Sequence, residues 1–202
     1  MAEVKEVKIG QKVPDFKMTY YDPTTKGFGS INLYDLLQQG KWVVFFFYPA
    51  DYTFVCPTEL ADVGDKYDIL KKMNVEVISV STDTHYVHLA WTKDEPLLKN
   101  FKWKMAADPT GFISRTFGVY DEATGLALRG SFIINPDGIL VGSEINHYAV
   151  GRDSDELVRK IEAFQYVREH PDEACPAKWE KGKKTLKPGP DIVGRVGEVL
   201  AK

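Results

Sequence analysis

The chain has 202 residues, 44% hydrophobic and 12% aromatic, which suffices for one compact domain with a substantial core and excludes disorder as its main state. A formal net charge of -3 gives no general attraction for nucleic-acid phosphates or anionic lipid, so a small molecule or another protein is the expected partner. Two cysteines in this length do not make a disulfide scaffold.

The opening MAEVKEVKIGQKVPDF mixes charged with apolar residues and lacks the continuous apolar segment of a secretory signal, so the cytoplasm is the expected location. GFGS at 27–30 is too short a glycine signal for a nucleotide loop and reads as a turn between strand-like segments. No nucleotide, flavin or other cofactor is expected. Residues 42–48, WVVFFFY, read as a strand buried on both faces and fall far short of the roughly 20 residues a membrane helix needs. The same β-rich character recurs in VEVISVS at 75–81 and GSFIINP at 130–136. ILVGSEI at 139–145 follows the turn NPDG closely enough to predict a hairpin.

Between these strands, residues 57–73 space Leu60, Val63, Tyr67 and Leu70 as one face of a helix, and 83–93 do the same with Tyr86, Leu89 and Ala90. A third helix is expected over 152–170, with Asp153 or Ser154 as its cap and Pro171 beyond its end. Strands alternating with helices, closed by a hairpin, predict an α/β fold with a mixed sheet flanked by helices. From Pro171 onward the character changes. Pro171, Pro176, Pro188 and Pro190, with five lysines between 178 and 187, have the composition of an arm lying over a surface. The predicted division is therefore a core domain, 1–170, and an arm, 171–202, that carries Cys175. His85 and His88 stand three apart on a predicted helix, but no third or fourth ligand accompanies them, so a structural or surface role is expected and no metal.

Cys56 lies eight residues beyond the apolar run and immediately before Pro57, a residue favoured in the first turn of a helix. A thiol there meets unpaired backbone N–H groups and the positive end of the helix dipole, surroundings that favour an anionic sulfur. Thr53, three residues upstream, can offer its hydroxyl to that sulfur as donor or acceptor, and Pro49 supplies a rigid wall with no competing N–H. Position 59 is Glu, so the CxxC motif of general disulfide exchange is missing.

The stretch FYPADYTFVCPTE, residues 47–59, resembles the active-site signature of the peroxiredoxins, PxxxTxxC, which Pro49, Thr53 and Cys56 match residue by residue. ISVSTDTHYVHLAW at 78–91, LRGSFIINPDG at 128–138 and EACPAKWEKG at 173–182 are similar to the corresponding parts of typical two-cysteine peroxiredoxins, particularly those of the alkyl hydroperoxide reductase C type. The resemblance implies a thioredoxin-like fold and reduction of hydrogen peroxide or organic hydroperoxides by Cys56, which becomes a sulfenic acid. It also implies that Arg129 sits beside the peroxidatic sulfur, with Glu59 and Arg152 orienting it. Cys175 is then the resolving thiol, supplied by the partner chain of a homodimer. Such dimers are expected to join in a ring of five, and a flavoprotein disulfide reductase or a thioredoxin-type protein to reopen the disulfide.

Some eukaryotic relatives carry a GGLG insertion and a C-terminal Tyr-Phe pair that make them prone to over-oxidation. Here the corresponding segments read TKDEPLLKNFK and VGRVGEVLAK, so a relatively over-oxidation-resistant enzyme is expected. The competing readings are a holdase-type chaperone ring, whose client binding would survive Cys56→Ser, and a general disulfide oxidoreductase, which the missing CxxC disfavours.

Overall fold

The computed structural model describes residues 4–201, which divide into two compact units, one ending at Ser154 and one running from Asp155. The first unit is built on a seven-stranded sheet. Its strands are β1 (Lys17–Asp22), β2 (Gly27–Asn32), β3 (Trp42–Phe47), β4 (Val75–Ser81), β5 (Lys104–Ala107), β8 (Arg129–Ile134) and β9 (Leu140–Asn146), ordered β2-β1-β5-β4-β3-β8-β9. A separate two-stranded ribbon joins β6 (Tyr120–Asp121) to β7 (Leu126–Ala127). The pairs β3–β4 and β4–β5 are parallel and the others antiparallel, giving the mixed sheet expected from the sequence.

Every residue of β3 is buried, as a central strand covered on both faces requires. Val43, Phe45 and Phe47 enter one core with Ile78 and Val80 of β4, Phe132 and Ile134 of β8, and Leu33, Leu36 and Leu37 of α1 (Leu33–Leu37). The alternation of side chains along a strand sends Val44 and Phe46 to the opposite face. Between β3 and β4 runs α2 (Cys56–Lys72), which packs on β4. α3 (His85–Asp94) lies against β1 and β5, and α4 (Phe112–Thr116) adds Ile113 to the core.

The β8–β9 hairpin forms as expected. Its turn is organised by Asn135, whose Oδ1 accepts from the N–H groups of Asp137 at 3.0 Å and Ile139 at 2.9 Å, and Gly138 takes the positive φ of +80° that the turn demands. GFGS is not the predicted turn but the first four of the six residues of β2, with Tyr20 paired opposite Gly29. The glycine there serves packing, since a Cβ on it would lie 2.6 Å from the Tyr20 hydroxyl oxygen. The reversal falls earlier, where Asp22 Oδ1 accepts from the Thr24 N–H at 2.9 Å and Lys26 adopts φ +53°.

The second unit comprises α5 (Ser154–Glu169) beyond its first residue, and the segment that follows. That segment is more ordered than its composition suggests. It folds back around Trp179, 2% exposed, whose carbonyl accepts from Arg159 at 3.0 Å and whose ring lies 5.0 Å from that of Tyr166. An isolated bridge joins Ala174 to Leu186, and α6 (Val196–Ala201) accepts Lys184 on the Val199 carbonyl at 3.1 Å. Among the described residues no helix is long and apolar enough to cross a membrane.

Candidate active site

β3 ends at Phe47, and the loop that follows carries Pro49 and Thr53 to Cys56, the first residue of α2. Pro57 is the second helical residue, where its missing N–H costs no hydrogen bond. As the first residue, Cys56 has no carbonyl one turn back to receive its own N–H. Its side chain is fully buried, and Pro49 is buried with it.

Two donors meet the sulfur. Thr53 Oγ1 lies 2.8 Å from Cys56 Sγ, and Arg129 Nη1 lies 3.4 Å from it. Thr53 Oγ1 is also 2.8 Å from the carbonyl oxygen of Ala50. A hydroxyl has one hydrogen, so it can accept the S–H of a thiol while donating to Ala50, or turn and donate to a thiolate. The loop thus offers a partner to either protonation state without moving the backbone.

Arg129 arrives by sheet register. β8 runs antiparallel to β3 with Phe46 opposite Ser131, and continuing that register brings the start of β8 level with the end of β3. Its Nε donates to the Tyr148 carbonyl at 2.7 Å and its Nη1 to Glu59 Oε2 at 2.6 Å. Its Nη2 makes no hydrogen bond among the described residues. Glu59, one turn into α2, also receives the Arg152 Nε and backbone N–H on Oε1 at 2.8 and 2.9 Å. Arg152 is itself held by the Phe47 carbonyl at 2.9 Å, by Ser131 Oγ at 3.1 Å, and by the Phe46 ring, 3.5 Å from its Cζ.

The side chains of Arg129, Glu59 and Arg152 are each no more than 3% exposed. Two guanidiniums and one carboxylate leave one net positive charge in a site screened from water, and a thiolate at Cys56 neutralises it. Burial pulls the Arg152 guanidinium below its ordinary value, against the opposing bonds from Glu59, so the carboxylate is what makes a second buried cation tolerable.

Five of the seven residues singled out in the sequence, Thr53, Cys56, Glu59, Arg129 and Arg152, therefore form one connected hydrogen-bonded group, with Pro49 buried in the same loop. Cys175 belongs to the second unit. It is half-buried, with Sγ 3.9 Å from the Ala163 carbonyl. Burial pushes its thiol up, with Arg159 opposing and Glu173 adding to the rise. His88 is fully buried, and His85 packs its ring 4.8 Å from that of Phe28. Sequence reasoning missed Ser131 and the carbonyls of Ala50, Phe47 and Tyr148. Ser131 did leave a signal, a lone hydroxyl in the buried strand RGSFII; backbone carbonyls leave none.

Comparison with known proteins places the chain in a family. The AhpC/TSA family model matches residues 9–143, and the model for the C-terminal domain of 1-Cys peroxiredoxin matches 163–198. Alkyl hydroperoxide reductase C of Staphylococcus aureus is 50% identical over 188 residues, 93% of this chain and 98% of that protein. Among solved structures, reduced Plasmodium vivax 2-Cys peroxiredoxin superposes with a TM-score of 0.87 at 34% identity, covering 94% of this chain and 98% of its own. Enterococcus faecalis AhpC gives 0.79 at 49% identity, covering 83% and 98%. The chain belongs to the AhpC/TSA family of peroxiredoxins.

Proposed function

We propose that this protein is a thiol peroxidase that reduces hydrogen peroxide and organic hydroperoxides through Cys56 and Cys175. The carrying observation is the placement of the Cys56 sulfur within reach of both the Thr53 hydroxyl and the Arg129 guanidinium. The Cys56 thiolate attacks one peroxide oxygen, an S–O bond forms, and the O–O bond breaks. The leaving oxygen takes the electron pair and a proton and departs as water or alcohol, leaving Cys56 as sulfenic acid. Arg129 and Thr53 donate to the oxygens on which charge develops, the kind of fixed-donor stabilisation that carries most of many enzymatic accelerations.

Cys175 of a second subunit then attacks the sulfenic sulfur, forming the S–S bond and releasing the hydroxyl as water. A flavoprotein disulfide reductase or a thioredoxin-type dithiol returns two electrons. A pair of thiols that must be re-reduced in every cycle suits the reducing cytoplasm. The dimers join in a ring of five, and the exposure of Phe54 (92%) and Tyr86 (64%) supports a further contact between copies on the first unit.

Non-reducing gels after one equivalent of hydrogen peroxide test this reading. Wild type should run as a covalent dimer, and neither Cys56→Ser nor Cys175→Ser should. Wild type that keeps both thiols would refute the peroxidase, and an internal disulfide would refute only the intersubunit step. Sedimentation of the reduced protein should give a species of about ten subunits.

The raised thiol of Cys175 adds a pH dependence. Because the thiolate is the attacking form, a thiol pushed up by burial is almost wholly protonated at neutral pH. Disulfide formation from the sulfenic acid should therefore accelerate by nearly tenfold per pH unit between 6 and 8, measured by rapid quench at a fixed peroxide concentration. A flat profile would show that Cys175 deprotonation does not limit the step.

A further inference from the structure

Beneath the loop that carries Thr53 lies a buried titratable cluster that peroxide chemistry does not use. Asp51 and His88 have fully buried side chains, with His88 Nδ1 2.7 Å from Asp51 Oδ2. The Tyr48 hydroxyl donates to Asp51 Oδ1 at 2.6 Å and stands 3.4 Å from His88 Nδ1. His88 Nε2 faces the Ala106 carbonyl at 3.2 Å. That carbonyl can only accept, so Nε2 carries a proton, and the Asp51–His88 contact holds one further proton between carboxylate and ring. The Asp51 backbone is fixed too, its N–H donating at 2.8 Å to Asp83 Oδ2, which also receives Ser81 Oγ.

These bonds span five pieces of the fold: the end of β3, the loop, the end of β4, α3 and β5. They converge on the residue before Tyr52, which sits at φ +55°, a left-handed conformation that a bulky residue adopts only where its surroundings over-determine it. The Tyr52 hydroxyl donates to Asp94 Oδ2 at the end of α3 at 2.8 Å, so α3 grips the loop at two points. The next residue is Thr53, whose hydroxyl meets the Cys56 sulfur.

We infer that the buried Asp51–His88 pair is a positioning element of the reaction: it clamps the loop to α3, keeps the Thr53 hydroxyl on the Cys56 sulfur, and limits how often the first turn of α2 opens to present the sulfur to Cys175. The inference rests on the proposed role of Cys56. A clamp of this kind trades peroxide reactivity, which needs the closed loop, against resolution, which needs the open one. Loosening it lowers the first and favours the second.

The test is Asp51→Asn, with Tyr48→Phe as a milder variant that keeps the buried ring and removes only its hydroxyl. Two quantities are read per active thiol: the second-order rate constant for hydrogen peroxide, and the ratio of sulfinic acid to disulfide formed per turnover at high peroxide. Asp51→Asn should lower the rate about tenfold and the ratio at least threefold, and Tyr48→Phe should shift both the same way by about twofold. A residue that merely stabilises the fold would lower the melting temperature and the active fraction but leave both per-thiol quantities unchanged, and that result overturns the inference. If Asp51→Asn does not fold, unchanged values in Tyr48→Phe overturn it. Wild type that neither consumes peroxide nor forms disulfide would instead refute the proposed function.

Discussion

Arg129→Leu should slow the reaction of Cys56 with hydrogen peroxide by about two to three orders of magnitude. Removing one preorganised donor from a site where negative charge develops typically costs about 10²–10³ in rate, and Arg129 brings both a donor and a positive charge to the sulfur. The loss should appear in the chemistry rather than in folding, because Glu59 keeps Arg152 as its partner. Arg129→Lys should recover little, since the guanidinium reaches the Tyr148 carbonyl, Glu59 and the sulfur together, and a single ammonium on a flexible stem cannot reproduce that fork. Stopped-flow fluorescence can follow the step. Trp91 lies 6.4 Å from the Tyr52 ring in the active-site loop, close enough to sense it. An Arg129→Leu rate within threefold of wild type would remove this residue from the chemistry.

What was legible in the sequence follows from where the physical signal is local. β3 could be read directly because a strand covered on both faces is a continuous apolar run, β4 because VEVISVS is rich in β-branched residues, and α2 because its buried Leu60, Val63 and Leu70 recur at helical spacing. β1, reading KMTYYD, was missed because charged and polar residues interrupt its apolar ones, and β5, reading KMAA, because it has only four residues and holds its place through β1 and β4, far along the chain. β2 was mistaken for a turn because Gly29 answers to the Tyr20 ring across the sheet, and no neighbour in sequence reports that. The same division runs through the site. Pro49, Thr53 and Cys56 fall in one short motif, and their chemistry could be argued from adjacency. Glu59, Arg129 and Arg152 meet across 70 and 93 residues, and only family resemblance could pick those arginines from the others. The Asp51–His88 clamp had no sequence signature at all: a histidine on a helix and an aspartate in a loop look like surface residues until the fold buries them.

Glu59→Gln should be the most destabilising single substitution in the site, although it changes one atom. Glu59 joins two guanidiniums at 2.6 and 2.8 Å, and all three side chains are screened from water. The amide keeps the shape and one acceptor but loses the charge, so the buried group goes from one net positive charge to two. Breaking a buried ion pair by removing one partner typically costs about 3–5 kcal/mol, because the surviving charge is left without its compensation. In a chain of this size each kcal/mol shifts the melting temperature by about 2–4 °C, so a drop on the order of 10 °C is expected. The activity of the molecules that remain folded should fall as well, since Arg129 loses the bond that aims Nη1 at the sulfur. Adding Arg152→Met to Glu59→Gln should cost less than the sum of the two separate losses, because the second change removes the cation that the first left unpaired. A Glu59→Gln protein melting within about 2 °C of wild type would mean that water enters this group on demand, and that its charges are not held in the low-dielectric setting that makes both Arg129 and Glu59 costly to lose.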